Sequence, residues 1–175
     1  MKGKKKLTMT EYEKNLKTSF EPISDAETTI LLLGTMPGEI SLQHGEYYAN
    51  PRNKFWEIIS KITNNELPQT YSEKKSLLLK TKIGVWDVAK TANRKGSLDS
   101  AIKEEKPNDL DNFIAMHKKI KVIGFNGKKA AQLFDRYFSR KKEIKYISLP
   151  STSPANASLS FDRKCEKWQQ IKVEK

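Results

Sequence analysis

A single cysteine, two histidines and the want of any apolar run long enough to span a bilayer set the first limits on this 175-residue chain. Cys165 has no second thiol, so an intramolecular disulfide and any cysteine-cluster metal site are excluded. It falls four residues after Phe161 and three before Trp168, the spacing of a thiol packed on a helix face. His44 and His117 are too few for a histidine-rich metal centre, and neither a metal nor a cofactor is expected. His44 sits in a polar loop, where it is either simply exposed or functional; His117 stands near the end of a helical stripe, where an imidazole favours the carboxyl end. No G-x-x-x-x-G-K-[ST] occurs and no G-x-G-x-x-G follows the first strand, which removes the common nucleotide-binding motifs. The basic start, Lys2 and Lys4 to Lys6, runs into Thr8, Thr10, Glu11 and Glu13 where a signal peptide needs an apolar core. A soluble, cytoplasmic protein is the expectation.

Acidic residues are also in deficit, with 33 Lys and Arg against 21 Asp and Glu, a formal net charge of +12. Cations that neutralise phosphates release counterions and supply sequence-independent affinity, so a nucleic acid is the expected partner. A uniformly basic surface without such a partner is the plainer alternative.

Four short apolar runs read as strands: Ile30–Leu33, Ile83–Val88, Lys121–Phe125 and Lys145–Leu149. Between them lie helical patterns. Phe55, Ile58, Ile59 and Ile62 recur at i, i+3, i+4 and i+7; Ser72 with Glu73 reads as the cap of a helix carrying Leu77 to Leu79; Leu110, Phe113, Ile114 and Met116 make a third stripe. Ala130 to Phe138 and Phe161 to Ile171 supply two more helices. Strands alternating with helices imply a single three-layer α/β domain over 28–175, a central four-stranded parallel sheet with helices on both faces. Residues 1–27 read as a basic arm with a short helix around Glu11 to Lys17.

In a parallel sheet all strands end on one edge, so the polar segments beginning at Gly34, Asp87, Asn126 and Pro150 are expected to converge on one crevice. The Ser151-Thr152-Ser153 cluster has no neighbouring base to make it nucleophilic; hydroxyls and N–H groups in a proline-rich turn suit a phosphate better.

The segments at that edge carry recognisable motifs. Gly-Thr-Met-Pro-Gly at 34–38, Tyr-Tyr-Ala-Asn-Pro-Arg-Asn-Lys-Phe-Trp at 47–56 and Leu-Pro-Ser-Thr-Ser-Pro-Ala-Asn-Ala at 149–157 resemble the signature motifs of the uracil-DNA glycosylase superfamily. The branch most similar is that of the hypoxanthine (deoxyinosine) DNA glycosylases; Gly-Val-Trp-Asp-Val at 84–88 and Gly-Ser-Leu-Asp-Ser at 96–100 also resemble it. The resemblance implies a monofunctional glycosylase that hydrolyses the N-glycosidic bond of deaminated bases in DNA, hypoxanthine first and uracil second, as a monomer. A non-catalytic DNA-binding module of the same fold, a uracil/thymine mismatch glycosylase and a small-nucleotide enzyme are the alternatives.

Base excision needs an aromatic platform, a held water and help for a departing anionic base. Tyr48 stands where mismatch-specific relatives carry a stacking Phe, with Tyr47 as its neighbour and loop packing as the other use of both rings. Most of the superfamily places Asp or Asn where this chain has Met36, and the resemblance suggests that Asn53 holds the catalytic water instead. Asn53 is equally placed to cap the helix that follows, and Glu39 and Glu46 are alternative water holders. Leu149 replaces the His or Asn found before Pro-Ser in many relatives, so electrostatic help is expected from the backbone N–H groups present in the base-binding turn through Thr35, Met36, Pro37 and Gly38 or from Ser151 to Ser153. Asp87 and Asn126, at strand ends, are candidates for base-edge recognition, although Asp87 could instead cap the next segment. Arg52, Lys90, Arg94, Lys95, Lys128 and Lys129 form the expected phosphate footprint, joined by the turn through Ser151, Thr152, Ser153 and Asn156.

Overall fold

A strand with no polar alternation has to be covered on both faces, and the core is built around one such strand. In the computed structural model, which describes residues 9–172, helix α1 (Met9–Asn15) leads into β1 (Leu16–Thr18) and then β2 (Ile30–Gly34). A short helix α2 (Glu39–His44) precedes α3 (Phe55–Ile62) and α4 (Tyr71–Lys80). Strands β3 (Ile83–Asp87), β4 (Ala89–Asn93) and β5 (Lys103–Pro107) follow, then α5 (Leu110–Met116), β6 (Val122–Asn126), α6 (Lys128–Tyr137), β7 (Lys145–Leu149) and α7 (Phe161–Trp168). Lys2 and Lys4 to Lys6 lie outside the described residues.

Strands β3-β2-β6-β7 form one parallel sheet in that order. Alternate side chains of β2 enter separate cores. Leu32 packs with Phe55, Ile58, Ile59, Leu77, Leu78 and Trp168 from α3, α4 and α7. Leu31 and Leu33 face the other way, onto Leu110, Phe113, Ala130, Leu133 and Phe134 from α5 and α6. This is the expected three-layer arrangement, and each fully buried Leu or Ile in it contributes about 1.5–3 kcal/mol of apolar burial. Cys165 is buried in the first core, as its helical spacing implies. His117 ends α5, its Nδ1 bonded to the Phe113 carbonyl at 2.8 Å, and plays the expected part at a helix C-terminus.

Three features depart from the sequence reading. The polar segment after β3 is a strand: β4 pairs antiparallel with both β1 and β5 in a second sheet, which buries only the small cluster of Met36, Ala89, Ala92 and Ile102. Within residues 1–27, read as an arm, the helix stops at Asn15, Leu16–Thr18 pair with β4, and Ile23 exchanges two 2.9 Å backbone hydrogen bonds with Val85 at the edge of the parallel sheet. Finally, Thr70 rather than Ser72 caps α4: its hydroxyl accepts from the Glu73 N–H while the Glu73 carboxylate accepts from the Thr70 N–H, a reciprocal box that leaves Ser72 exposed inside the helix.

Thr70→Ala is therefore expected to lower stability by about 1 kcal/mol in urea unfolding, and Ser72→Ala by less than about 0.5 kcal/mol. Equal losses would return the cap to Ser72.

Candidate active site

The strand order places β2 and β6 at the centre, with the chain leaving β2 toward β3 and β6 toward β7, so the crevice belongs above the point where the connections diverge. A cleft of about 760 Å³ opens there. Its walls come from the ends of four strands: Gly34 to Ser41 after β2, Asp87 at the end of β3, Asn126 at the end of β6, and Ser151 to Asn156 after β7. Tyr47, Tyr48, Asn50, Arg52 and Asn53 complete one side, and Ser97 to Ser100 close the other. Thr35 to Gly38, Tyr48, Arg52, Asn53, Asp87, Asn126, Ser151 to Ser153 and Asn156 meet here, whereas Lys90, Arg94, Lys95, Lys129 and Lys128, the last exposed at the first position of α6, do not line the cleft.

Tyr48 is fixed by its backbone and by one face of its ring. Its backbone takes a left-handed φ of 53°, and its ring lies 3.9 Å from that of Phe55 at 14°, so Phe55 covers one face while the ring lines the cleft. The phenol reaches the floor near Asn126, whose amide makes one donated and one accepted bond to Thr152, and the buried Tyr48 hydroxyl has no well-formed hydrogen bond among the described residues. Burial, and next the Asp87 carboxylate, push its pKa up, so the phenol stays protonated. Tyr47 is buried and donates its hydroxyl to the Glu21 carbonyl at 3.1 Å, a packing role.

Gly34 makes room for this floor. A Cβ there would meet Asp87 Oδ1 at 2.7 Å and the Tyr48 hydroxyl at 3.3 Å, so the strand must end in a residue without a side chain. Asp87 is only 3% exposed, and its other oxygen accepts from the Ser19 hydroxyl at 2.8 Å. Desolvation dominates, with Asp99 adding to it and the Ser19 bond and the Arg94 charge opposing, and the pKa rises from 3.8 to about 7. Asp87 therefore lines the cleft rather than capping the next segment.

Asn53 lines the cleft beside Arg52. Its Oδ1 accepts from the Phe55 N–H at 3.0 Å and its own N–H donates to the Asn50 carbonyl at 2.9 Å, so the side chain shapes the entry to α3 with one oxygen lone pair to spare. Met36 turns instead into the small cluster beneath the antiparallel sheet, which is why an apolar residue occupies that position. In the turn after β7, Ser151 and Ser153 accept from the N–H groups of Ser153 and Ala155 at 3.2 Å, and Asn156 donates to the Ser151 carbonyl at 3.1 Å. The Thr152 hydroxyl likewise accepts, from the Asn126 amide at 3.0 Å, but Thr152 is 1% exposed, so the hydroxyl protons of Ser151 and Ser153 are the ones open to the cleft.

Arg94 corrects the expected phosphate footprint. It is 1% exposed and turns inward, its guanidinium donating to the carbonyls of Met36 and Pro37. The sequence reading also passed over Asp99, which accepts from the Thr35 hydroxyl at 2.6 Å, and Ser97, whose hydroxyl accepts from the Glu39 N–H at 2.9 Å. Their signal was the Gly-Ser-Leu-Asp-Ser run, noted as a motif without roles for its residues. Among the described residues no cluster of His, Cys, Asp or Glu could hold a metal ion, and no helix is long and apolar enough to cross a membrane.

Comparison with known proteins bears on the family and the fold. The chain is 37% identical over 157 residues, 89% of its length and 98% of the relative's, to a hypoxanthine DNA glycosylase of Methanosarcina acetivorans. It is also 37% identical over 117 residues, 66% of its length and 74% of the relative's, to a hypoxanthine DNA glycosylase of Methanosarcina barkeri. The solution NMR structure of a candidate uracil DNA glycosylase from Methanosarcina acetivorans superposes with a TM-score of 0.75 at 32% identity, covering 89% of this chain and 98% of that one. The profile of the uracil DNA glycosylase superfamily matches residues 21–172, and the chain belongs to that superfamily.

Proposed function

We propose that this protein is a monofunctional DNA glycosylase that removes deaminated bases from DNA, hypoxanthine in preference to uracil. The observation that carries the reading is the cleft itself: a Phe55-backed tyrosine, a protonatable buried carboxyl and a hydroxyl-rich turn at one sheet edge, in a chain aligned along most of its length with proteins named for hypoxanthine removal. The net charge of +12 supports a polyanionic substrate.

In this reading the nucleotide swings out of the duplex and its base slides against the open face of Tyr48. Asn53 Oδ1 accepts a hydrogen bond from the attacking water with its free lone pair and aims the water at C1′. As the water oxygen bonds to C1′, the glycosidic C–N bond breaks with its electrons on the base, and the proton lost by the water neutralises that base. Arg52 and the Ser151 and Ser153 hydroxyls face the sugar-phosphate backbone. Asp87, with a pKa of about 7, presents either a donor or an acceptor to the base edge.

Asn53→Ala is expected to slow single-turnover release of hypoxanthine from a deoxyinosine oligonucleotide by about 10²-fold or more while leaving affinity for that DNA close to wild type. Unchanged rates would move the water to Glu39 or Glu46, and wild-type binding without release would make the protein a DNA-binding module. For Asp87, a folded pKa raised above the unfolded value means that its stabilising contribution is complete below about pH 4 and is lost as pH rises through about 7. Relative to wild type, Asp87→Asn should therefore gain roughly a few kcal/mol in urea unfolding between about pH 4 and pH 8. A pH-independent difference would show that Asp87 titrates as an ordinary carboxylate.

A further inference from the structure

Among the described residues the charged side chain with the least exposure has no part in the chemistry above. Arg94, just past β4, directs its guanidinium at two successive carbonyls, Met36 and Pro37, in the turn that follows β2. A guanidinium has donors and no acceptor; here its two terminal nitrogens donate to these carbonyl oxygens, while the buried Nε has no partner among the described residues. The peptide bonds are trans, and in a trans peptide the C=O and the N–H point in opposite directions. The peptide after Met36 ends in proline and carries no N–H, so the N–H that Arg94 orients is that of Gly38. With the Pro37 carbonyl held toward Arg94, the Gly38 N–H points away from it, and Gly38 itself lines the cleft. Among the described residues no protein group accepts from it. The adjoining chain pins the rest of the turn, through Ser97 to the Glu39 N–H and Asp99 to the Thr35 hydroxyl.

We propose that Arg94 is a positioning residue that locks the Pro37–Gly38 peptide so that the Gly38 N–H serves as a fixed donor for the keto oxygen of the flipped base. The proposal rests on the glycosylase reading. Deamination replaces an exocyclic amine, a donor, with a keto oxygen, an acceptor. A donor N–H in the cleft accommodates hypoxanthine and opposes the amine of adenine. Peptides next to glycine flip easily, and a flip here would present a carbonyl that welcomes the amine. Arg94 forbids it, because the flip would set an N–H against a buried guanidinium and strip both of partners. Discrimination by unpaired buried polar groups is the kind that separates bases differing in one atom pair.

The test uses three otherwise identical DNA duplexes carrying hypoxanthine, adenine or purine, the last lacking any 6-substituent, with affinity and single-turnover release measured for each. Wild type is expected to favour hypoxanthine over purine in both measurements. Arg94→Met, which fills similar space without donors, should reduce that preference at least about tenfold, the worth of one good hydrogen bond, and Arg94→Lys should restore part of it. A second pair works even if the Arg94 variants fail to fold. Gly38 has φ −70°, which a proline ring matches, so Gly38→Pro deletes the N–H without bending the turn. Gly38→Ala keeps the N–H, its Cβ meeting Ser97 Oγ at 3.4 Å and Ser97 Cβ at 3.7 Å. Loss of the preference in Gly38→Pro with retention in Gly38→Ala supports the proposal. A uniform loss across the three bases, leaving the preference intact in Arg94→Met or Gly38→Pro, overturns it, as does a wild type that binds purine as well as hypoxanthine. Preferential binding of hypoxanthine without release would instead defeat the glycosylase reading and leave this one standing.

Discussion

The register of β2 against its two neighbours is the constraint on which the site depends. Leu31, Leu32 and Leu33 have no exposed surface, and alternate residues enter different cores, so a slip of one position would exchange the two faces and empty both. With that register held, Gly34 stands opposite Asp87. The pairing continues beyond the strand, as the N–H groups of Val88 and Ala89 donate to the carbonyls of Gly34 and Thr35 at 2.9 and 3.1 Å. The turn from Thr35 to Gly38 therefore leaves the sheet at the level where the Asp87 carboxyl and the Tyr48 phenol meet. Packing some distance below the cleft decides which groups the cleft contains.

The polar floor is costly to bury, and the surrounding residues share that cost. Asp87 and Arg94 act on each other and both lie in the field of Asp99, while Ser19 and the carbonyls of Met36 and Pro37 provide hydrogen bonds. Burial favours the neutral acid at Asp87, but Arg94, always protonated, finds neutral carbonyls rather than a carboxylate as its direct partners. The result is a site with little net charge at its floor inside a protein of strongly basic composition. That division suits a substrate whose backbone is anionic and whose base is neutral.

Regular elements with strong patterning were legible from the residues alone. Continuous apolar runs marked the four parallel strands, and 3.6-residue spacing marked α3, α5, α6 and α7. The antiparallel sheet escaped because β5, Lys-Glu-Glu-Lys-Pro, is mostly exposed and β4 buries little more than alanine, so neither shows an apolar alternation. α2 escaped because its six residues are too few to establish a period. Residues whose place in the cleft follows from their own loop, such as Tyr48 and Asn53, could be placed there in advance. Arg94 could not. Among basic residues after a strand it looks like a surface contact, and only the pairing of β4 with β1 and β5 turns it under the 36–37 carbonyls.

By itself, then, the sequence determined the layered α/β architecture, the edge at which the site lies and the family motifs that occupy it, because hydrophobic period and local turn chemistry are short-range properties written in consecutive residues. Tertiary structure alone decided which polar groups are spent and which are free. Asn126 is bonded to Thr152, Met36 is turned into a small apolar cluster, Asp87 is raised toward neutrality by burial, and Arg94 is clamped to a turn 58 and 57 positions away. Hydrogen bonding and desolvation depend on neighbours brought from distant parts of the chain, and no local pattern records who those neighbours are.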